Sequence, residues 1–144
     1  MPRKGATPPP PLPDAAIRSS PRPDLAAYNE TLRMRPDALV AELAAILGKK
    51  LTALIAGVKD TRTVEAWMAG REGGRKFDAD RIRLTLRIAR MLRARDDARV
   101  VQAWFMGLNP QLGDRSPARL LREGDLASDG AEVMGAARAF LVGG

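Results

Sequence analysis

The sequence predicts an all-α protein, and three observations carry that prediction. From Asp37 onward, apolar residues recur at spacings of three and four, the signature of helical faces. No stretch sustains the period-two alternation of a strand. Glycines and X-Pro pairs interrupt the pattern at intervals that suit short helices.

Ahead of that pattern, the first 36 residues hold 9 of the chain's 11 prolines. The run PPPPLP at residues 8–13 cannot enter a helix interior or a central strand. Residues 1–36 therefore read as a disordered, proline-rich tail.

The helices follow in order. Leu39, Leu43, Ile46 and Leu47 mark the first, with Gly48 as its stop. Leu51, Leu54, Ile55 and Val58 mark a second, and Gly57 permits a sharp turn. Val64, Trp67 and Met68 mark a third, ended by Gly70, and Gly73-Gly74 makes a loop. A longer fourth helix is capped by Asp78 or Asp80 and runs to about Arg93. Its apolar residues, Ile82 to Leu92, cover more than half of the helical wheel, and Arg83, Arg87 and Arg90 fill the remaining stripe. So wide an apolar arc predicts burial against two neighbours. Val101, Trp104, Phe105 and Leu108 define a fifth helix, halted by Asn109-Pro110. Gly113 supplies a bend, and Ser116-Pro117 starts a sixth helix that ends at Gly124. Asp129 with Glu132 resembles a capping box for a seventh, lined by Val133, Ala137, Phe140 and Leu141. The pattern divides at residue 76, into parts 37–76 and 77–144.

Composition narrows the functions. Cysteine and histidine are both absent. That removes disulfides, thiolate metal sites and the commonest nucleophile–base pairs. No catalytic residue, cofactor site or metal site is predicted, and the protein is not expected to be an enzyme. There is no apolar run of membrane-spanning length and no signal-like segment, so a cytoplasmic location is expected.

The net charge of +7 is unevenly placed. Residues 37–95 carry 13 basic and 7 acidic side chains, net +6, whereas residues 96–144 carry 5 and 7, net −2. A basic middle suits phosphate backbones. The segment 49–70 has the pattern of a helix-turn-helix, with its turn at Gly57-Val58-Lys59-Asp60. Lys59, Thr61, Arg62 and Thr63 then sit at the exposed start of a reading helix, with Arg62 placed for a guanine. Arg71, Arg75 and Lys76 suit phosphates. This segment resembles Cro/repressor-type regulators.

The stretch 103–124, AWFMGLNPQLGDRSPARLLREG, is the most specific in the chain. Its Trp104, Asn109-Pro110, Leu112-Gly113, Ser116-Pro117 and Leu120-Leu121, followed by AARAFL at 136–141, resemble the Xre/MbcA/ParS antitoxins, the partners of RES-domain toxins. The segment 55–70 resembles their degenerate Cro/Xre-like helix-turn-helix, and the likeness covers roughly residues 37–144. It implies a helical toxin-binding and dimerisation domain at 77–144 and a toxin that consumes NAD or modifies a protein with it. It also implies a homodimer within a toxin–antitoxin hetero-oligomer, and binding to the operator DNA of its own operon. The acidic shift, the double-proline turn and this resemblance together place toxin contacts at Asn109, Leu112, Arg119, Leu121, Arg122, Arg138, Phe140, Gly143 and Gly144. The alternative reading is a stand-alone helix-turn-helix transcriptional regulator.

Overall fold

A computed structural model describes residues 23–71 and 77–143. Among these are eight α-helices and one 3-10 turn, and the only β pairing is an isolated bridge between Asn109 and Arg115. The helices are α1 (Pro23–Arg33), α2 (Pro36–Leu47), α3 (Lys49–Ala56), α4 (Thr61–Met68), α5 (Ala79–Arg93), α6 (Ala98–Met106), α7 (Pro117–Glu123) and α8 (Asp129–Gly143). The 3-10 turn spans Pro110–Leu112.

Local chemistry sets most boundaries. Gly57 adopts φ 77°, closed to most side chains, and ends α3. Its N–H donates to Leu54 O and the Val58 N–H to Ala53 O, a Schellman pair that seats Val58 in the core. Asp60 caps α4, accepting from Arg62 N at 3.0 Å and Thr63 N at 3.4 Å. Of the two candidate caps for α5 it is Asp78 that accepts, from Arg81 N at 3.1 Å. Asp80 pairs with Arg83 instead. Ser116 caps α7 through Arg119 N, with Pro117 in the first turn as expected.

The capping box at Asp129 is not formed. Asp129 lies inside α8, and its carboxylate accepts from Asp125 N at 2.8 Å; the Glu132 N–H donates to Ser128 O. The reason is a preceding Asp125–Ser128 turn, closed by Ser128 N and Oγ onto the Asp125 carboxylate. Asp125 O also accepts the Asp129 N–H at 2.7 Å, so the chain is already turning before α8 begins.

A single cluster of buried apolar side chains runs from Leu39 to Ala137. It draws on both sequence-defined parts, 37–76 and 77–144. Leu39, Val40 and Leu43 of α2 are fully buried, and α2 meets α3, α4, α5 and α6. α5 packs on α1, α2, α6 and α8, the bridging role that its wide apolar arc predicts.

The proline-rich tail ends sooner than residue 36. Pro23–Arg33 is helical and packs on α5, with Thr31 fully buried. Residues 1–22, including PPPPLP, lie outside the described residues, as does Gly73-Gly74. The arginine stripe of α5 explains the docking. Arg90 forks onto Glu42 of α2 at 2.5 and 2.6 Å and reaches Glu30 of α1 at 3.0 Å. Arg83 Nε donates to Thr31 O at 3.3 Å. The guanidinium of Arg90 is held above its ordinary pKa, chiefly by its hydrogen bond to Glu42, with the Glu42 and Glu30 charges adding and burial opposing.

Candidate functional site

Two surfaces hold the residues singled out from sequence. The first is the corner after α6. Gly107 leads out of the helix, and Asn109 closes the following loop through four hydrogen bonds. The Asn109 side chain accepts from Gln111 N at 2.9 Å, its carbonyl accepts from Leu112 N and Asp114 N, and its N–H donates to Arg115 O. Gly113 at φ 64° and Asp114 at φ 62° turn the chain back toward α7. Asn109 is thus a brace of the turn rather than a free contact.

Leu112 and Leu121, placed at the toxin surface by sequence, are 1% exposed. Both belong to the core, because the turn folds its apolar side inward beneath α7 and α8. Trp104 is core too, edge-on to Phe105 with centroids 5.1 Å apart and tilted against Phe140 at 6.4 Å. Phe140 is half-buried between Trp104 and the guanidinium of Arg95, which lies 4.9 Å from the ring centroid. Arg119, Arg138 and Gly143 are exposed, with Arg119 paired to Glu123 at 3.1 Å. Gly144 lies outside the described residues.

Leu108 lies outside the helix to which its spacing assigned it. It follows the end of α6 and is 76% exposed, with Met106 at 57% and Val142 at 90%. An apolar groove of about 320 Å³ runs along this corner, lined by Trp104, Leu108, Pro110, Ala136 and Phe140 among others. Apolar side chains of this size left in solvent are candidates for partner contact. Sequence reasoning misplaced Leu108 because helical spacing alone does not say where a helix stops, and it did not single out Met106 or Val142, which lie within α6 and α8. The signal was Gly107, which ends α6 one residue before Leu108.

The second surface surrounds α4. Lys59, Arg62 and Arg71 are exposed, and Thr61 and Thr63 are half-buried. Arg75 and Lys76 lie outside the described residues. The structure does not bring the rest into one patch. Lys59 and Thr61 border a groove with Lys50, Leu54 and Arg122, whereas Arg71 borders a separate one with Arg35, Trp67 and Phe77 at the other end of α4. Glu65, on the exposed face of α4, holds Lys49 at 2.9 Å.

The basic middle is also less available than its net charge implies. Arg81 donates to the carbonyls of Leu121 and Arg122, closing the C-terminal end of α7. Arg95 does the same for α8 through Phe140 O and Leu141 O. Helix C-termini present unsatisfied carbonyls, so guanidinium donors are well placed there. With Arg83 and Arg90 committed to α1 and α2, much of the charge is structural.

No family model matches the sequence, and no curated protein matches it significantly. Among solved structures, a chain in the crystal structure of the M. tuberculosis MbcT–MbcA toxin–antitoxin complex is similar. The TM-score is 0.57 at 22% identity, over 72% of this chain and 94% of that one. At that identity the two chains share a fold. No described helix is long and apolar enough to cross a membrane.

Proposed function

We propose that this chain is the antitoxin of a type II toxin–antitoxin pair. In this reading it neutralises a RES-domain, NAD-consuming toxin by covering its active site. It also represses its own operon through the helix-turn-helix, as a homodimer within the toxin–antitoxin assembly. The observation that carries the toxin part is the exposed apolar corner, Met106, Leu108 and Val142, beside the Trp104–Phe140 groove. Three lines support it. The corner coincides with the stretch that resembles the antitoxins. The fold is shared with a chain of a toxin–antitoxin complex. The acidic balance of residues 96–144 sets this half apart from the basic middle.

In the proposed complex Leu108 and Val142 are the apolar anchors, since desolvated contacts dominate interfaces. Phe140 contributes its exposed edge. Arg119 and Arg138 are the polar rim, and one of them meets the phosphates of the toxin's NAD pocket. Leu112 and Leu121 act only by supporting this surface from below. The chain supplies no catalytic group of its own in this scheme.

The test is co-expression with a RES-domain toxin encoded beside this reading frame. The unaltered chain should copurify with the toxin and restore growth and cellular NAD. Leu108→Asp and Val142→Asp should fold normally and fail to do so. Removing everything after Ser128 is a poor test, because Val133, Met134, Ala136 and Ala137 belong to the core. Rescue by both Asp variants would remove the corner from the interface.

A further inference from the structure

The groove that borders the start of α4 has a wall that the helix-turn-helix does not supply. It measures about 530 Å³ and is lined by Lys50, Ala53 and Leu54 of α3, Val58, Lys59, Asp60 and Thr61 of the turn and α4, and Arg122 of α7. We propose that Lys50, Lys59 and Arg122 clamp the phosphodiester backbone of duplex DNA along this seam, so that the C-terminal half contributes directly to DNA binding. The proposal rests on the DNA-binding reading above and names where the backbone runs.

The charges are placed for it. Lys50 and Lys59 are exposed, and neither has an ion-pair partner among the described residues. Lys49, one residue away, is instead spent on Glu65. Arg122 is exposed and is drawn across to α3, where one of its nitrogens donates to Leu54 O at 3.4 Å. A guanidinium has five donors, so this one contact leaves others for the groove's occupant. Sequence assigned Arg122 to the toxin corner, but it sits beside Lys50 and Lys59, on the α3 side of α7. The acid in the groove, Asp60, already accepts the amides of Arg62 and Thr63. Three cations against one carboxylate favour a polyanion.

The groove is also ill suited to a small anion. Its cations are exposed and spread along an open seam, with no buried polar group to fix a small anion. Leu54, 41% exposed, gives an apolar floor suited to sugar carbons and to the cations' own methylene stems. The seam reaches Thr61, the residue before Arg62, which the sequence places for base contact. A backbone held here fixes the register of that helix, the role of phosphate contacts in DNA recognition.

The experiment uses the full chain and a labelled duplex from upstream of its reading frame, with an unrelated duplex alongside. Affinity is measured between about 50 and 200 mM salt. Each of Lys50→Ala, Lys59→Ala and Arg122→Ala should flatten the log–log salt slope by about one, for both duplexes. Arg122→Lys should restore most of it, and Arg99→Ala, an exposed cation on α6, should leave it unchanged. Toxin rescue should survive all of them. An unaltered slope in the Lys50 and Arg122 variants, with the parent chain still binding, overturns the clamp and leaves the DNA reading intact. Failure of the parent chain to bind either duplex overturns both. Loss of toxin rescue at unchanged slope would make the seam a protein contact and overturn the clamp.

Discussion

The forked contact of Arg90 allows two ion pairs on one guanidinium to be ranked before any measurement. The Arg90 side chain is 21% exposed. Glu42, at 35%, meets it through two short hydrogen bonds, whereas Glu30, at 68%, meets it through one at 3.0 Å. Hydrogen bonds to charged groups contribute about 1.5–3 kcal/mol, and partial exposure of Glu42 reduces this to roughly 1–2 kcal/mol of coupling. An exposed pair such as Glu30–Arg90 should couple by less than about 0.5 kcal/mol. Urea unfolding of the parent, Glu42→Gln, Arg90→Met and the double variant gives the first coupling, and the same cycle with Glu30→Gln gives the second. Salt adds a second criterion, because the Debye length falls from about 8 Å to 3 Å between 0.15 and 1 M. The Glu30 coupling should vanish at 1 M, while the Glu42 coupling keeps most of its size. Equal couplings, or a Glu42 coupling that salt abolishes, would refute the view that α2 and α5 are locked by this fork.

Deleting residues 1–35 should lower the urea midpoint, because it removes buried Thr31 and the whole of α1 from the face of α5; an unchanged midpoint would show that α1 adds nothing to the core. Gly57→Ala should cost about 1 kcal/mol, the price of a Cβ at φ 77°, read as a lower melting temperature. Ser116→Ala should cost about 1 kcal/mol through the lost cap on Arg119 N, and Ser116→Asp should recover most of it.

The helices were legible where a boundary residue has a single physical role. Gly57 and Ser116-Pro117 do one thing each, and the chain turns where they stand, whereas Asn109-Pro110 marks a turn but not the end of α6, which stops at Met106 before Gly107. Burial was legible from periodicity along α2 and α5, whose apolar faces meet neighbours on several sides. Three things were not legible. The first was α1, which lies in a proline-rich region and is held by the α5 arginines, partners more than fifty residues away. The second was the side of the corner that faces water: Leu108 and Leu112 look alike in sequence, but the turn at Gly113 sends one out and the other in. The third was charge availability. Net charge counts Arg81 and Arg95 as free, yet both spend their donors on helix C-termini.

The shared core has a consequence for how the two halves unfold. Helix-turn-helix and toxin-binding parts read from sequence as two domains, each with its own tryptophan, Trp67 and Trp104. In the structure α7 packs on α3 as well as on α8, and α2 meets α6 directly. Gln102 of α6 also donates to Ile46 O of α2 at 2.9 Å. Neither half keeps its apolar surface covered without the other. Trp67→Phe and Trp104→Phe should therefore each give one transition, with fluorescence of the remaining indole and far-UV ellipticity coinciding. Leu121→Ala, at the α7 junction, should cost about 2–5 kcal/mol and shift both probes together. Were Trp67 to keep its midpoint while Trp104 moved, the halves would be separate folding units. The clamp of Lys50, Lys59 and Arg122 would then span a flexible joint instead of a rigid seam.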